Sequence, residues 1–400
     1  MKKRTITAYL LLLALVSYTQ DPYYFSHYQV ENGLSHNTVM CSIQDKQGFL
    51  WLGTKDGLNR FDGTSFKVFR HDEDDSSSIG NDYIRFLHSS KKGQIFVGTQ
   101  RGLYEYRPHT ESFSPISSSG TKSIKEIISD NKDNLWYIAE GDLVRLENGS
   151  GKTKVYSHEE NFWATSFCIT NDGSFWIASA DGRLKRYDYK QDRFTSFDVF
   201  LQSVNTPWIE KIYPAENGKI LIGTAAYGLL CYDPYTNKTR EIVTKNNDGT
   251  GIFVRDILQY KKDEYWLATE SGIFITNTQT NTLVNLKKDY HNPYALSDNA
   301  VYTLCKDYEG GIWAGTFFGG VNYYVEQHAI FQKYFPNYTK NAISGNAVRE
   351  IVKDKLGNFW IGTEDASPSI KQGAVTFYLA LQQAYSNTTE AKIILRPFHS

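Results

Sequence analysis

Gly48-Phe49-Leu50-Trp51-Leu52-Gly53-Thr54, followed by Gly57-Leu58-Asn59-Arg60-Phe61, decides the fold of this 400-residue chain, because the pattern returns seven more times. Its anchors are Trp51, Phe96, Trp136, Trp176, Leu221, Trp266, Trp313 and Trp360, at intervals of 45, 40, 40, 45, 45, 47 and 47 residues. A period in this range marks a repeat architecture, in which each unit buries its apolar face against the next. Gly or Asp stands three residues before each anchor, as a turn requires. Two residues after it comes a small residue in seven of eight copies, with Ile138 as the exception, which suggests tight packing beside a bulky ring. Twelve residues before it sits an apolar side chain: Val39, Ile84, Ile124, Ala164, Ile209, Val254, Val301 and Val348.

Each unit therefore reads as four short strands: in the first, residues 39–44 (a), 49–54 (b), 58–62 (c) and 66–70 (d), with turns between. Four antiparallel strands make one propeller blade. The fold class expected is all-β, a seven-bladed β-propeller over 22–327 followed by the start of a second propeller. The segment Phe25-Ser26-His27-Tyr28-Gln29 resembles a strand d without its a, b and c, and could complete the last blade. Residues 331–335 repeat this start before unit eight, so 328–366 reads as an incomplete first blade of a second ring; an eight-bladed ring is the alternative. Unit eight breaks off at Ser367-Pro368-Ser369, where strand c should begin. Residues 367–400 show no repeat element, and 374–385 reads as weakly helical. The tail is expected to be the product of a shifted reading frame or disrupted gene, with a capping helix as the other option.

Lys2, Lys3 and Arg4 precede an apolar stretch from Ile6 to Val16, the form of a signal peptide over residues 1–20, with cleavage near Thr19 or Gln20. Periplasmic export is the localisation expected. Lys and Arg total 43 against 44 Asp and Glu, with no basic run after residue 4, so nucleic acid is excluded as a partner of this region. Cys168 and Cys305 occupy a repeat position otherwise held by Ile43, Ile128 and Leu258, and nothing places Cys41 with Cys231, so no disulfide is expected. The histidines and cysteines show no metal spacing, and no phosphate loop or nucleophile elbow occurs; no cofactor, metal site or catalytic residue is assigned. Asp45, Asp130, Asp307 and Asp354 share one repeat position, which reads as turn chemistry.

The unit D-x-x-G-x-[FLI]-W-[LI]-G-T-x-x-G-L-x-x-[FY], here Asp45 to Phe61, resembles the two-component regulator propeller repeat, and Val30-Glu31-Asn32-Gly33-Leu34-Ser35-His36-Asn37 is similar to the usual start of that family. The resemblance implies the periplasmic sensor of a Bacteroides-type hybrid two-component system. In such a system oligosaccharides are the common ligands, and the intact sensor is a homodimer with a membrane tether and kinase output. No kinase motif is found in this chain, so it is expected not to be an enzyme. The rival class is a propeller enzyme acting on glycans, because Asn171-Asp172-Gly173-Ser174-Phe175-Trp176 partly echoes the sialidase turn.

Strand alternation puts the b-to-c and d-to-a connections on one face. That face gathers exposed aromatics beside polar groups, as a sugar needs. The candidate ligand-binding residues are Arg101, Trp163, Trp208, Tyr227, Phe317 and Phe318.

Overall fold

The computed structural model describes residues 23–157, 162–200, 208–326, 333–337, 342–343, 345–355 and 359–363, with the backbone of 376–379. The signal segment at 1–20 and most of the tail lie outside these residues. Seven four-stranded antiparallel sheets span 39–69, 84–115, 124–156, 164–198, 209–243, 254–286 and 301–324, and Phe25–Tyr28 supplies the fourth strand of the last. The inner strand of each sheet lies beside that of the next, and the seventh lies beside the first, so the ring is closed at seven blades.

Blades one, three and seven share a local device at the a-to-b turn. In blade one, Asp45 Oδ1 accepts the backbone N–H groups of Gln47 and Phe49, both at 2.9 Å, which forms the a-to-b turn with Gly48 at φ 93°. Its other oxygen accepts the indole N–H of Trp51 at 2.7 Å, so one carboxylate fixes both the turn and the core ring. The same bond joins Asp130 to Trp136 at 2.9 Å and Asp307 to Trp313 at 2.9 Å. The recurrent Asp is thus turn chemistry with a second task that the spacing alone did not show.

The anchor rings then fill the seams between blades. Trp51 meets Tyr106 of blade two with centroids 4.8 Å apart, and Trp136 meets Tyr187 of blade four at 5.1 Å. Both indoles are fully buried. Beside them the small residue abuts the apolar residue that opens the next inner strand. A Cβ on Gly53 would lie 2.6 Å from Ile84 Cγ2, one on Gly98 2.7 Å from Ile124 Cγ2, and one on Gly315 2.7 Å from Val39 Cγ1. The last of these contacts joins blade seven to blade one.

Closure is completed by pairing Phe25–Tyr28 with Val321–Tyr324, in register Phe25↔Tyr324 to Tyr28↔Val321. Tyr28 also packs on Trp313 at 5.4 Å and on Phe61 of blade one at 5.2 Å, so the closing strand adds a ring to the seam it seals. All four cysteines are free and buried, and burial pushes the Cys41 and Cys168 thiols well up.

Unit eight stands apart from the ring as a sheet of Val348–Lys353, Phe359–Thr363 and Thr376–Leu379. A Cβ on Gly362 would meet nothing nearer than Glu350 O at 3.8 Å, so this unit has no following blade against it among the described residues. The weakly helical reading of 374–385 is corrected at 376–379, the part of it that is described; the rest lies outside the described residues. Thr376-Phe377-Tyr378-Leu379 pairs antiparallel with Phe359–Thr363 in the place of the missing strand c. The physical reason is that an unpaired strand edge demands a partner, and a run of one β-branched and two aromatic residues suits one.

Two outcomes are expected in urea unfolding. Trp136→Ala should cost about 3–5 kcal/mol. Asp130→Ala should cost roughly 1–3 kcal/mol, because it leaves the buried indole N–H without its acceptor. An Asp130→Ala variant as stable as the parent would remove the dual role of this carboxylate. Separately, deleting 22–29 should lower the unfolding midpoint and promote association, since the edge of Val321–Tyr324 is then bare. An unchanged midpoint in a monomeric protein would show that the ring closes without this strand.

Candidate functional site

Every inner strand carries one extra residue. In all seven blades the pairing of strands a and b slips between the first and third residues of strand a, at Val39/Cys41, Ile84/Phe86, Ile124/Glu126, Ala164/Ser166, Ile209/Lys211, Val254/Asp256 and Val301/Thr303. Such β-bulges re-aim a side chain and recur beside functional sites. The bulged residues are Met40, Arg85, Lys125, Thr165, Glu210, Arg255 and Tyr302. They form one ring at the mouth of the central channel, and they contact the b-to-c turns and d-to-a loops around it.

The loops themselves are held to one another by a repeated backbone bond. The first residue after strand b donates to the residue before strand a of the same blade: Gln100 to Tyr83, Ala180 to Trp163, Ala225 to Trp208 and Phe317 to Ala300, all between 2.8 and 3.0 Å. In blades one and seven a buried Asn of strand c adds a further clamp. Asn59 Oδ1 accepts Ser35 N, and Asn322 Oδ1 accepts Ser297 N, each at 2.9 Å, which fixes the Leu-Ser turns of the preceding loops.

Contacts between blades that are not neighbours locate the axis. Lys125 of blade three reaches Glu210 of blade five at 3.3 Å, and the Trp208 indole N–H donates to the same carboxylate at 2.8 Å. One residue deeper, Lys211 of blade five meets Glu126 of blade three at 2.5 Å and lies 4.0 Å from Asp256 of blade six. This triad links blades three, five and six below the mouth. Burial opposes the charge on Lys211, but Glu126 and Asp256 outweigh it and hold the ammonium above its ordinary range. Burial raises the Asp256 carboxyl, although Lys211 and the Leu304 N–H pull the other way.

Across the mouth from Lys125 and Glu210, a continuous arc of rings and cations runs over blades six, seven, one and two. The Arg255 guanidinium lies 3.9 Å from the Phe253 ring centre and 4.4 Å from that of Tyr302, while its Nε donates to Glu270 at 2.7 Å. Tyr302 stacks on Phe317 at 5.3 Å, and Phe317 meets Phe318 edge-on at 4.4 Å. Lys55 Nζ sits 4.3 Å from the Phe317 ring centre and 6.0 Å from that of Tyr83. Arg85 lies 5.7 Å from Tyr83 and donates to Gln100 Oε1 at 3.0 Å.

The six residues singled out from the sequence all lie on this face. Arg101 is exposed in the b-to-c turn beside Gln100, and Trp163, Trp208, Tyr227 and Phe318 are exposed large side chains. Trp163 spreads over Gly141 of the preceding blade, where a Cβ would stand 2.8 Å from the indole. Phe317 is half-buried and belongs to the arc. The bulge ring and Tyr83 are not among the six, nor is Lys55 of the first b-to-c turn. The signal was available: counting eleven and thirteen residues back from each anchor gives the bulged residue and its loop neighbour. Among the described residues no group of three or more His, Cys, Asp or Glu could hold a metal.

Comparison with known proteins places these features. The family model "Two component regulator propeller" matches residues 33–56, 295–318 and 342–365, each match running from a d-to-a loop through strands a and b. A solved extracellular domain of a hybrid two-component system from Bacteroides thetaiotaomicron is 28% identical, with a TM-score of 0.69, over 86% of this chain and 47% of that one. A histidine kinase, P4, of Formosa agariphila is 49% identical over 55 residues, which are 14% of this chain and 4% of that protein. Virginiamycin B lyase from Staphylococcus aureus, 9% identical with a TM-score of 0.60 over 76% of this chain and 99% of its own, shares the fold. The chain spans about half the length of the extracellular domains that it matches, and 4% of the kinase. Among the described residues no helix is long and apolar enough to cross a membrane. Eight repeat units thus stand in register, seven of them closed into a ring, and units one, seven and eight match the two-component regulator propeller model.

Proposed function

We propose that this propeller is the extracytoplasmic, periplasmic sensing part of a hybrid two-component sensor and binds an oligosaccharide on the bulge-ring face without cleaving it. The observation that carries the reading is the arc of Phe253, Arg255, Tyr302, Phe317, Lys55 and Tyr83 facing Lys125, Glu210 and Trp208 across a mouth above the Lys211–Glu126 pair. Sugars present apolar C–H faces that stack on rings, and hydroxyls that require directional donors and acceptors. This mouth offers both. Likeness to an extracellular domain of a hybrid two-component system and to a histidine kinase supports the sensory role. Binding between partners in a homodimer of the intact sensor would carry the signal onward.

A propeller enzyme acting on glycans is the competing reading. The carboxylates that reach the mouth, Glu210 and Glu270, are each engaged by a cation, Lys125 and Arg255. A glycosidase instead needs one carboxyl free to protonate a leaving group.

The expected result in calorimetry against a panel of cell-wall oligosaccharides is binding without turnover. Trp208→Ala, Tyr227→Ala and Phe317→Ala should each weaken it by about 2 kcal/mol where the ring is a stacking anchor. If all three bind as tightly as the parent, the assigned face is wrong. Released products in the same mixtures would replace the sensor with an enzyme.

A further inference from the structure

The cations of this face are unevenly neutralised. On the side of blades three to six, Lys125 is paired with Glu210, Lys122 with Asp142 at 2.5 Å, Arg183 with Asp198 at 2.7 Å, and Arg255 with Glu270. On the side of blades one and two, Lys55, Arg85 and Arg101 have no carboxylate partner among the described residues. The nearby acids are committed elsewhere. Asp56 pairs with Arg70 at 3.0 Å, Asp82 accepts the His71 backbone N–H at 2.6 Å, and Asp298 Oδ2 accepts the Phe318 N–H at 2.9 Å.

A second observation comes from Arg85 itself. Its Nε is buried and has no hydrogen-bond partner, while Nη1 is engaged by the Gln100 side chain. Gln100 Oε1 also accepts from Ser123 Oγ at 3.3 Å, so the amide that orients the guanidinium is itself held in place. A buried donor without an acceptor carries a desolvation cost that an incoming anion would relieve. Lys55 and Arg85 both lie near the Tyr83 ring, 6.0 and 5.7 Å from its centre. A planar ring with an ammonium and a guanidinium close by fits a sugar that carries a negative group. The sugar face stacks on Tyr83 or Phe317, and its anion takes charge-assisted hydrogen bonds from both cations.

We infer that the ligand is an acidic oligosaccharide whose carboxylate or sulfate ester docks between Lys55 and Arg85, with Arg101 at the outer rim. This inference rests on the reading that the bulge-ring face binds a sugar. Uronates and sulfated sugars share the recognising chemistry, and the experiment separates them.

The test is calorimetry on the chain with two matched pairs: tetragalacturonate against its methyl ester, and a sulfated galactan tetrasaccharide against its desulfated form. The acidic member of one pair should bind at least about tenfold more tightly than its neutral partner, which identifies uronate or sulfate as the source. That preference should fall by about tenfold on raising salt from 50 to 500 mM, since partly exposed charges are screened over about 10 Å at 0.1 M. Lys55→Gln and Arg85→Gln should each remove most of the preference while melting temperature holds. Lys238→Gln, on an outer strand, should change nothing. If only neutral sugars bind and Trp208→Ala weakens them, the face is a sugar site and the acidic ligand is wrong. If acidic sugars bind equally well to the Lys55→Gln and Arg85→Gln variants, the anion docks elsewhere and the inference falls. If no member of either pair binds, the inference falls as well, and the sugar reading is then decided by the neutral panel.

Discussion

The ring depends on one contact repeated at every seam, between the residue two places after the anchor and the apolar residue that opens the next inner strand. Where the second is Ile or Val, the first is Gly or Ala: Gly53 with Ile84, Gly98 with Ile124, Ala178 with Ile209, Gly223 with Val254, Ala268 with Val301 and Gly315 with Val39. At the seam between blades three and four the sizes are exchanged. Ile138 is the large residue there, and Ala164 is the small one; both are buried in the same core cluster. The exception to the small-residue rule is therefore compensated across the seam. Close-packed interiors tolerate this, because summed volume is kept while its owner changes.

The same inner strand that supplies this contact also supplies the site. Its first residue is buried in the seam, its second is bulged out, and in blades three, five and six its third meets the others near the axis, as Glu126, Lys211 and Asp256 do. Structural demand thus rests on the first position and leaves the second free to vary. Met40, Arg85, Lys125, Thr165, Glu210, Arg255 and Tyr302 share no chemistry, yet each is delivered to an equivalent place. Function is written on a ring of positions that the fold fixes in space and leaves open in identity.

The ring itself was legible because the seam constrains residue type. The apolar Val39 position is kept in all eight copies, the small Gly53 position in seven, Trp at the anchor in six and Asp at the Asp45 position in four, which is enough to read the unit. Blade number was legible from Phe25–Tyr28, a strand with no unit of its own, now paired with Val321–Tyr324. The face was legible from strand alternation, and so were the large exposed rings of Trp208 and Phe318. Tyr83, Arg85 and Tyr302 were not singled out, because a bulge is a fault in pairing register that shows only when each strand is counted back from its anchor. The short strand Thr376–Leu379 was missed for a related reason. Its partner is set by an open edge three-dimensionally adjacent to it, while its local pattern lacks the repeat.

If size complementarity at the seams holds the ring together, the exchanged pair is where it can be measured most directly. In urea unfolding of Ile138→Ala, Ala164→Ile and the double variant, the first should cost about 2–5 kcal/mol through a cavity and the second about 1–3 kcal/mol through overpacking. The double variant restores the arrangement of the other seams, so it should be more stable than the sum of the two losses allows by about 2 kcal/mol. Additive losses, with no coupling between the two positions, would contradict the account.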